Sequence, residues 1–145
     1  MQPTIRQGES RDADPLIALD HMTTLDPRRI DLIRRTIEAG TCFVAELHGE
    51  VVGYAVLDYS FYDKGTIAVL YTKKERRRHG IGSALVGHIE GLCQTTKLFT
   101  STNLSNKPMQ TLLAKHRFTL TGFIDNLDEG DPELIYFKRL RDGSG

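Results

Sequence analysis

Apolar and polar positions along this chain switch between a period near 3.6 and a period of 2, and the switches outline its elements. Residues 3–8 (PTIRQG) read as a short first strand. Leu16, Ile17, Leu19 and Met22 then recur at helical spacing, with Ser10 or Asp12 available as a cap. A second helix is predicted from Asp26-Pro27, a cap followed by a first-turn proline; it carries Ile30, Leu32, Ile33 and Ile37 and stops at Gly40. Alternation takes over in TCFVAEL and VVGYAVLDYSF, two arms of a hairpin around His48-Gly49-Glu50. Residues 65–72 (GTIAVLYT) form a near-continuous apolar run, which predicts a strand buried on both faces.

A charged loop, KKERRRHG, leads into a helix over 81–94 with Leu85, Val86, Ile89 and Leu92 on one face. A strand at 97–102 follows, then a helix at 105–116 capped by Ser105 or Asn106, with Met109, Leu112 and Leu113 as its apolar positions. Residues 117–125 and 133–140 read as a closing hairpin around NLDEGDP, and 141–145 as a fraying tail. The order β-α-α-β-β-β-α-β-α-β-β predicts an α/β fold with a mixed sheet and helices on both faces.

Composition narrows the function classes. The 145 residues suit one domain over 1–145, and 39% hydrophobic with 26% charged residues is a globular balance. Nineteen basic and 19 acidic side chains leave no global field for nucleic acid. Cys42 and Cys93 have neither metal-ligand nor redox spacing, so two buried thiols and no metal are expected. The first residues lack an apolar signal core, and no apolar run approaches the ~20 residues of a membrane span. The expected setting is cytoplasmic, with no membrane partner.

The stretch Arg77-Arg78-His79-Gly80-Ile81-Gly82-Ser83 lies where loop becomes helix. The first N–H groups of a helix lack acceptors within it, and the helix dipole adds positive charge there. Glycines at 80 and 82 clear side chains from the approach of a phosphate, and Arg77 and Arg78, with Lys73 or Lys74, supply a cationic rim. No GK[ST] follows, and the third glycine of a dinucleotide fingerprint is missing. A Gly-x-Gly at a helix start is also compatible with simple tight packing, and a basic run with a solvated loop.

Arg77-x-x-Gly80-x-Gly82 resembles the Q/R-x-x-G-x-G/A pyrophosphate loop of the Gcn5-related N-acetyltransferases (GNAT). LYTKKERRRHGIGSALV resembles that family's strand-loop-helix core, LLAKHRF at 112–118 its LYEKLGF segment, and Asn106 follows the next strand as the family's cofactor-side asparagine often does. The resemblance implies a fold in which the parallel strands 65–72 and 97–102 splay apart. It implies that acetyl-CoA lies there, its pantetheine on the backbone of Leu70, Tyr71 and Thr72 and its diphosphate held by Arg77, Arg78, His79, Gly80, Ile81, Gly82 and Ser83, with Asn106 nearby. An amine would attack the thioester directly, and a backbone N–H near Leu70–Thr72 would stabilise the oxyanion. A homodimer is a further family-level expectation.

The match departs from the family at the catalytic positions. Its usual tyrosine, the acid for the leaving thiolate, aligns with Leu113; a glutamate aligns with Thr66, and a carboxylate with Ser101. Arg117 replaces a usual glycine. Tyr71 and Asn106 are then the candidate catalytic residues, with Tyr59, Tyr62, Asp63 and Tyr136 as further proton-carrying side chains that also have ordinary structural readings. A lysine-like amine needs roughly 4–5 kcal/mol to deprotonate near neutral pH and an α-amine only about 1, so a site without a strong base favours low-pKa amines. The acceptor side holds Asp20, His21, Asp26 and Glu46, and the acidic turn Asp125, Asp128, Glu129, Asp131 and Glu133. The expectation is an acetyl-CoA-dependent N-acetyltransferase. The alternatives are a non-catalytic acyl-CoA-binding module and nucleic-acid binding through the basic loop at 73–79.

Overall fold

The structure is a computed structural model that describes residues 2–77 and 79–142. Seven strands form a mixed sheet flanked by helices, in the hydrogen-bonded order β1-β2-β3-β4-β5-β7-β6. The chain divides into two compact units, and β3 and β4 contribute to both. The expected strand order along the chain is the observed one, while the first of the two helices expected between β1 and β2 is divided.

The first unit takes the chain up to Leu57 together with Val69–Ile89. It contains β1 (Thr4–Gln7), α1 (Ala13–Leu19), α2 (Met22–Leu25), α3 (Pro27–Ala39) and β2 (Cys42–Leu47), most of β3 (Glu50–Phe61), the end of β4 (Lys64–Thr72) and most of α4 (Ile81–Leu92). β1 and β3 flank β2 and both run antiparallel to it. Leu16, Ile33 and Ile37 from the helices pack on Cys42, Val44, Tyr54 and Val56, with Val69 and Tyr71 at the margin. Each large apolar side chain removed from water there contributes roughly 1.5–3 kcal/mol. α3 begins as its sequence predicts: Pro27 follows Asp26, whose carboxylate accepts the Arg28 N–H at 3.0 Å. Gly53 lets the layers approach, because a Cβ there would lie 2.8 Å from the Tyr71 carbonyl and 3.2 Å from an Ile81 methyl.

Two buried charge clusters brace this unit. Arg6 donates to Asp12 at 2.8 and 3.0 Å and to Glu46 at 2.8 Å, and Asp12, only 2% exposed, also accepts the Glu9 N–H. Asp20, 1% exposed, accepts from the Tyr54 hydroxyl and from Arg29 at 2.9 Å. Burial, reinforced by the Asp20 hydrogen bond, drives the Tyr54 hydroxyl well above its ordinary pKa, so it stays a donor.

The second unit takes Asp58–Ala68 together with the chain from Glu90 onward. Here β4 runs parallel to β5 (Lys97–Asn103) through three pairs, Gly65↔Leu98, Thr66↔Phe99 and Ile67↔Thr100. At the last pair the Thr100 hydroxyl donates to the Ile67 carbonyl at 2.9 Å. α5 (Lys107–Lys115) follows, then β6 (Thr119–Ile124) and β7 (Glu133–Arg139), with β7 inserted between β5 and β6. Leu98, Thr100, Thr102, Leu134 and Tyr136 are buried with Leu113 and Phe118, while the alternate residues of β5 and β7 stay half-buried or exposed. α5 ends in a Schellman motif: Phe118 N–H bonds the Leu113 carbonyl and Arg117 N–H the Ala114 carbonyl, both at 2.9 Å. Arg117 takes the left-handed position of that motif, φ 67°, where glycine is the unstrained residue.

Several expectations change. The helix expected across 10–23 is a 3₁₀ turn, α1 and α2, because Asp20 leaves helical geometry to receive Tyr54 and Arg29. Neither Ser10 nor Asp12 caps α1 with its side chain; the Asp12 carboxylate is engaged by Arg6 and the Glu9 amide. The first hairpin turn is His48-Gly49, with Glu50 already in β3. β4 is not buried on both faces: Ala68 is exposed and 69–72 are half-buried, beyond the point where the β5 ladder ends. Of the tail expected to fray, 143–145 lie outside the described residues. Among the described residues no helix is long and apolar enough to cross a membrane.

Two stability effects follow from these local features. Arg117→Gly relieves left-handed strain and should raise unfolding free energy by about 0.5–1 kcal/mol in urea titrations, glycine's larger unfolded-state entropy being the opposing effect; a decrease would contradict the strain. Asp12→Asn should destabilise by about 2–4 kcal/mol at neutral pH, because it leaves Arg6 short of a partner. The Arg6 hydrogen bond lowers the Asp12 pKa, so this stabilisation is present above the unfolded carboxyl pKa and fades as pH falls through the folded value. The gap between wild type and variant should therefore narrow below about pH 4; a gap constant down to strongly acidic pH would exclude the pair as its source.

Candidate functional site

The first unit brings the end of β4, the loop after it and the start of α4 into one continuous segment. Lys73 closes the strand, its N–H bonding the Val52 carbonyl at 2.7 Å. A 3₁₀ turn at Lys74–Arg76 then directs the chain toward α4. Gly80 has φ 78°, and a Cβ built there would meet nothing within 4 Å. Its glycine is therefore a conformational requirement, and the space beside it is open. The first bond of α4 runs from the Ala84 N–H to the Gly80 carbonyl at 3.0 Å. The amides of Ile81, Gly82 and Ser83 precede the helix's own acceptors and carry the positive end of its dipole. Such a group of amides behind an open approach has the geometry and charge to take an anion.

Side chains around it divide into engaged and free. Arg77 places Nε 3.1 Å from the Thr72 carbonyl, and its guanidinium lies 5.4 Å from the centre of the Tyr71 ring. Arg78 lies outside the described residues. His79 is exposed and Ser83 half-buried. Lys73 is ion-paired with Glu50, and Arg76 approaches the same carboxylate at 3.5 Å. Part of the basic run is thus neutralised within the fold, which removes charge from the nucleic-acid alternative. Among the described residues, the cations left at the rim for an anion are Arg77 and Lys74.

The structure brings Leu70, Tyr71, Thr72, Arg77, His79, Gly80, Ile81, Gly82 and Ser83 into the first unit. Tyr71 packs at the margin of the core formed with α1 and α3, and its hydroxyl accepts the His21 N–H at 3.1 Å. The α1–α2 break at Asp20 sets the position of that N–H. Asn106 belongs to the second unit and caps α5, its side-chain oxygen accepting the Met109 N–H at 3.2 Å.

The three departures each have a local role. Leu113 is fully buried. The Thr66 hydroxyl donates to the Lys64 carbonyl at 3.0 Å. The Ser101 hydroxyl donates to Glu133 at 2.6 Å, so β7 delivers a carboxylate beside the position where the family resemblance led one to look on β5. That pairing is set by the β5–β7 register, in which Asn103 faces Glu133, and no local motif announces it. The other proton-carrying candidates are structural here. Tyr62 and Asp63, both at positive φ, make the β3–β4 turn; Tyr59 accepts the Gln94 N–H; Tyr136 is buried. On the acceptor side, Asp26 caps α3, Glu46 pairs with Arg6, and Asp128 and Asp131 tie their turn to Asn103 and Ser105.

The profile of the Acetyltransferase (GNAT) family matches residues 10–118. No curated protein matches the chain. Among solved structures, a GNAT-family acetyltransferase from Bacillus cereus ATCC 10987 is similar at TM-score 0.90 and 27% identity, over 96% of this chain and 98% of that one. The Salmonella typhimurium protein yncA, solved with its cofactor acetyl-CoA, is similar at TM-score 0.79 and 15% identity, over 100% and 98% of the two chains. The ribosomal-protein-S18-alanine N-acetyltransferase from Escherichia coli is similar at TM-score 0.79 and 16% identity, over 99% and 97%. At such identities the last two speak for the fold alone. With the profile spanning most of its length and the left-handed glycine in place before α4, this chain belongs to the GNAT acetyltransferase family.

Proposed function

We propose that this protein binds acetyl-CoA through the start of α4 and transfers the acetyl group to a primary amine by direct attack, as one catalytic domain working in the cytoplasm. The observation that carries the reading is Gly80: a left-handed residue with open space beside it, leading straight into the amides of Ile81, Gly82 and Ser83. Those amides would donate to the diphosphate oxygens, with Arg77, Arg78 and Lys74 as the cationic rim. Arg77 keeps its Nη donors while Nε holds the Thr72 carbonyl. The backbone of Leu70, Tyr71 and Thr72 would pair with the pantetheine as an added strand does. Asn106, whose side-chain oxygen caps α5, is a candidate cofactor contact on the family resemblance alone.

When bound, acetyl-CoA supplies an activated acyl group and a thiolate leaving group. The chain's own contribution is to position, to exclude water and to move protons. The Tyr71 hydroxyl is engaged as an acceptor by the His21 N–H, which leaves its O–H as the candidate donor to the departing sulfur. Thr66 and Ser101 carry no base of their own (the carboxylate beside Ser101 is Glu133), which favours amines that are already partly neutral near pH 7.

Incubation with acetyl-CoA and a panel of amines, followed by free thiol release, should show turnover favouring low-pKa amines. Gly82→Trp should abolish both turnover and CoA binding measured by calorimetry. CoA binding without thiol release on any amine would favour the non-catalytic module, and undiminished CoA binding by Gly82→Trp would remove the α4 site altogether. Separately, Tyr71→Phe should lower kcat about tenfold or more, within the range of general acid catalysis, and leave CoA affinity nearly unchanged. An unaltered kcat would reduce Tyr71 to a strut for the α1–α2 break.

A further inference from the structure

The second unit carries a row of like charges that the transfer chemistry does not use. Directly opposed residues in neighbouring strands share a face. Lys97 on β5 stands opposite Arg139 on β7. The β6–β7 pair Thr119↔Phe137 sets Arg117 level with Arg139, and the β4–β5 pair Gly65↔Leu98 sets Lys64 level with Lys97. Four cations therefore stand side by side across the β4-β5-β7-β6 part of the sheet. Strands lie about 4.8 Å apart, and like charges directly opposed destabilise a sheet. None of the four is in an ion pair among the described residues. The neighbouring Lys138 differs, because Glu90 takes its charge at 2.7 Å.

Arg117 and Arg139 line one cavity of ≈ 430 Å³ together with Thr119, Phe137 and Lys138. That volume suits a small molecule. Both arginines and Thr119 are exposed, while Phe137, half-buried and stacked on Phe99 at 5.9 Å, supplies an apolar wall. Arg117 holds its place at a cost. It occupies the left-handed position that ends α5, φ 67°, where glycine is the unstrained residue. Strain of this kind persists where the surroundings or a function hold it. Among the described residues the Arg117 guanidinium has no hydrogen bond or ion pair, so no polar contact of the fold answers that cost. Ser101 and Glu133 lie toward the other ends of β5 and β7, and the cavity stands apart from the positions considered for catalysis and for the acceptor.

We propose that this cavity binds the phosphate group of a small molecule between the Arg117 and Arg139 guanidinium groups, with the rest of the molecule against Phe137. A guanidinium fork matches phosphate oxygens in pairs, and a dianion answers two unpaired arginines where a carboxylate answers one. Lys97, directly opposite Arg139, adds a third positive charge to the field. The Thr119 hydroxyl is a further donor at the cavity wall. Binding relieves the repulsion along the row and gives the strained Arg117 its partner. A nucleic-acid strand fits less well. The chain has no net charge, and Glu133 with the turn holding Asp125 and Glu129 puts acidic charge at the other end of β6 and β7. The site lies within the second unit and does not rest on the acetyl-CoA reading.

Thermal unfolding and calorimetry on the full chain test it, with inorganic phosphate or AMP added against sodium chloride of equal ionic strength. Both are run in wild type and in Gly82→Trp, which blocks the amides at the start of α4 and so isolates this cavity. Phosphate should raise the melting temperature of both proteins. Arg117→Gly and Arg139→Gln should each weaken phosphate binding about tenfold or more, as the loss of a charge-assisted contact does. Arg117→Gly should do so while melting above wild type in the absence of ligand, which separates lost binding from lost folding. Should Gly82→Trp not fold, the arginine variants are read against wild type. AMP binding tighter than inorganic phosphate identifies a nucleotide as the source; otherwise the phosphate group alone is what the cavity reads. A wild type that responds to phosphate no more than to chloride, an affinity unchanged in both arginine variants, or an oligonucleotide that binds tighter than either small probe would each overturn the proposal.

Discussion

A backbone amide withdrawn from water must find an acceptor, and much of this fold can be read as the consequence of where that requirement is met. The Lys73 N–H is met by Val52, the Ala84 N–H by Gly80, and the Thr72 carbonyl by Arg77. The amides of Ile81, Gly82 and Ser83 come before the helix can serve them. Gly80, in its left-handed conformation and with open space beside it, leads directly into them. In the proposed function an anion there completes what the helix cannot. The diphosphate of a nucleotide-bearing cofactor has the charge and the oxygen spacing to do so. The glycine's role is accordingly conformational first and steric second.

The buried charges serve the same site at one remove. An unpaired Asp20 at its depth would be strongly destabilising; Tyr54, Arg29 and the Met22 amide all point at it. To receive them the chain leaves helical geometry between α1 and α2, and the His21 N–H comes to face Tyr71. One interaction therefore connects the helical layer to the strand whose backbone is proposed to carry the pantetheine. The Arg6–Asp12–Glu46 cluster ties β1, the 3₁₀ turn and β2 together by the same logic, two carboxylates sharing one guanidinium.

Local signals told the truth wherever the physics is local. Asp26-Pro27 and Gly40 bracket α3, Asn106 caps α5, and the periods of the strands survive in the structure almost unchanged. The loop at 77–83 was legible for the same reason, since a helix start needs only its own residues. What escaped depends on distant partners. The break at Asp20 is made by Tyr54, 34 residues away. The insertion of β7 between β5 and β6 is a property of pairing that a hairpin reading cannot supply. Tyr62-Asp63 is a tight turn without glycine or asparagine, so it carries no turn signature of the usual kind. Lys73 reads as part of the cationic rim until Glu50 is found against it, with Arg76 on the same carboxylate.

The position of Leu113 bears on how such a site can work. It is fully buried and receives the Phe118 N–H on its carbonyl, so it belongs to the packing that ends α5. A tyrosine hydroxyl in that environment would need a hydrogen-bond partner or would destabilise the core by a few kcal/mol. Losing the acid at this position is therefore coupled to a drier core, and the chemistry must tolerate it. Thiolate departure does, because a thiol of pKa near ~8.5 leaves almost unaided at neutral pH. In the proposed transfer the harder proton is the one on the attacking amine, and its free-energy demand falls with the amine's own pKa. In the proposed function, a site that lacks the family's acid at Leu113 and its carboxylates at Thr66 and Ser101 would favour acceptors of low proton affinity before any contact with the rest of the acceptor is made.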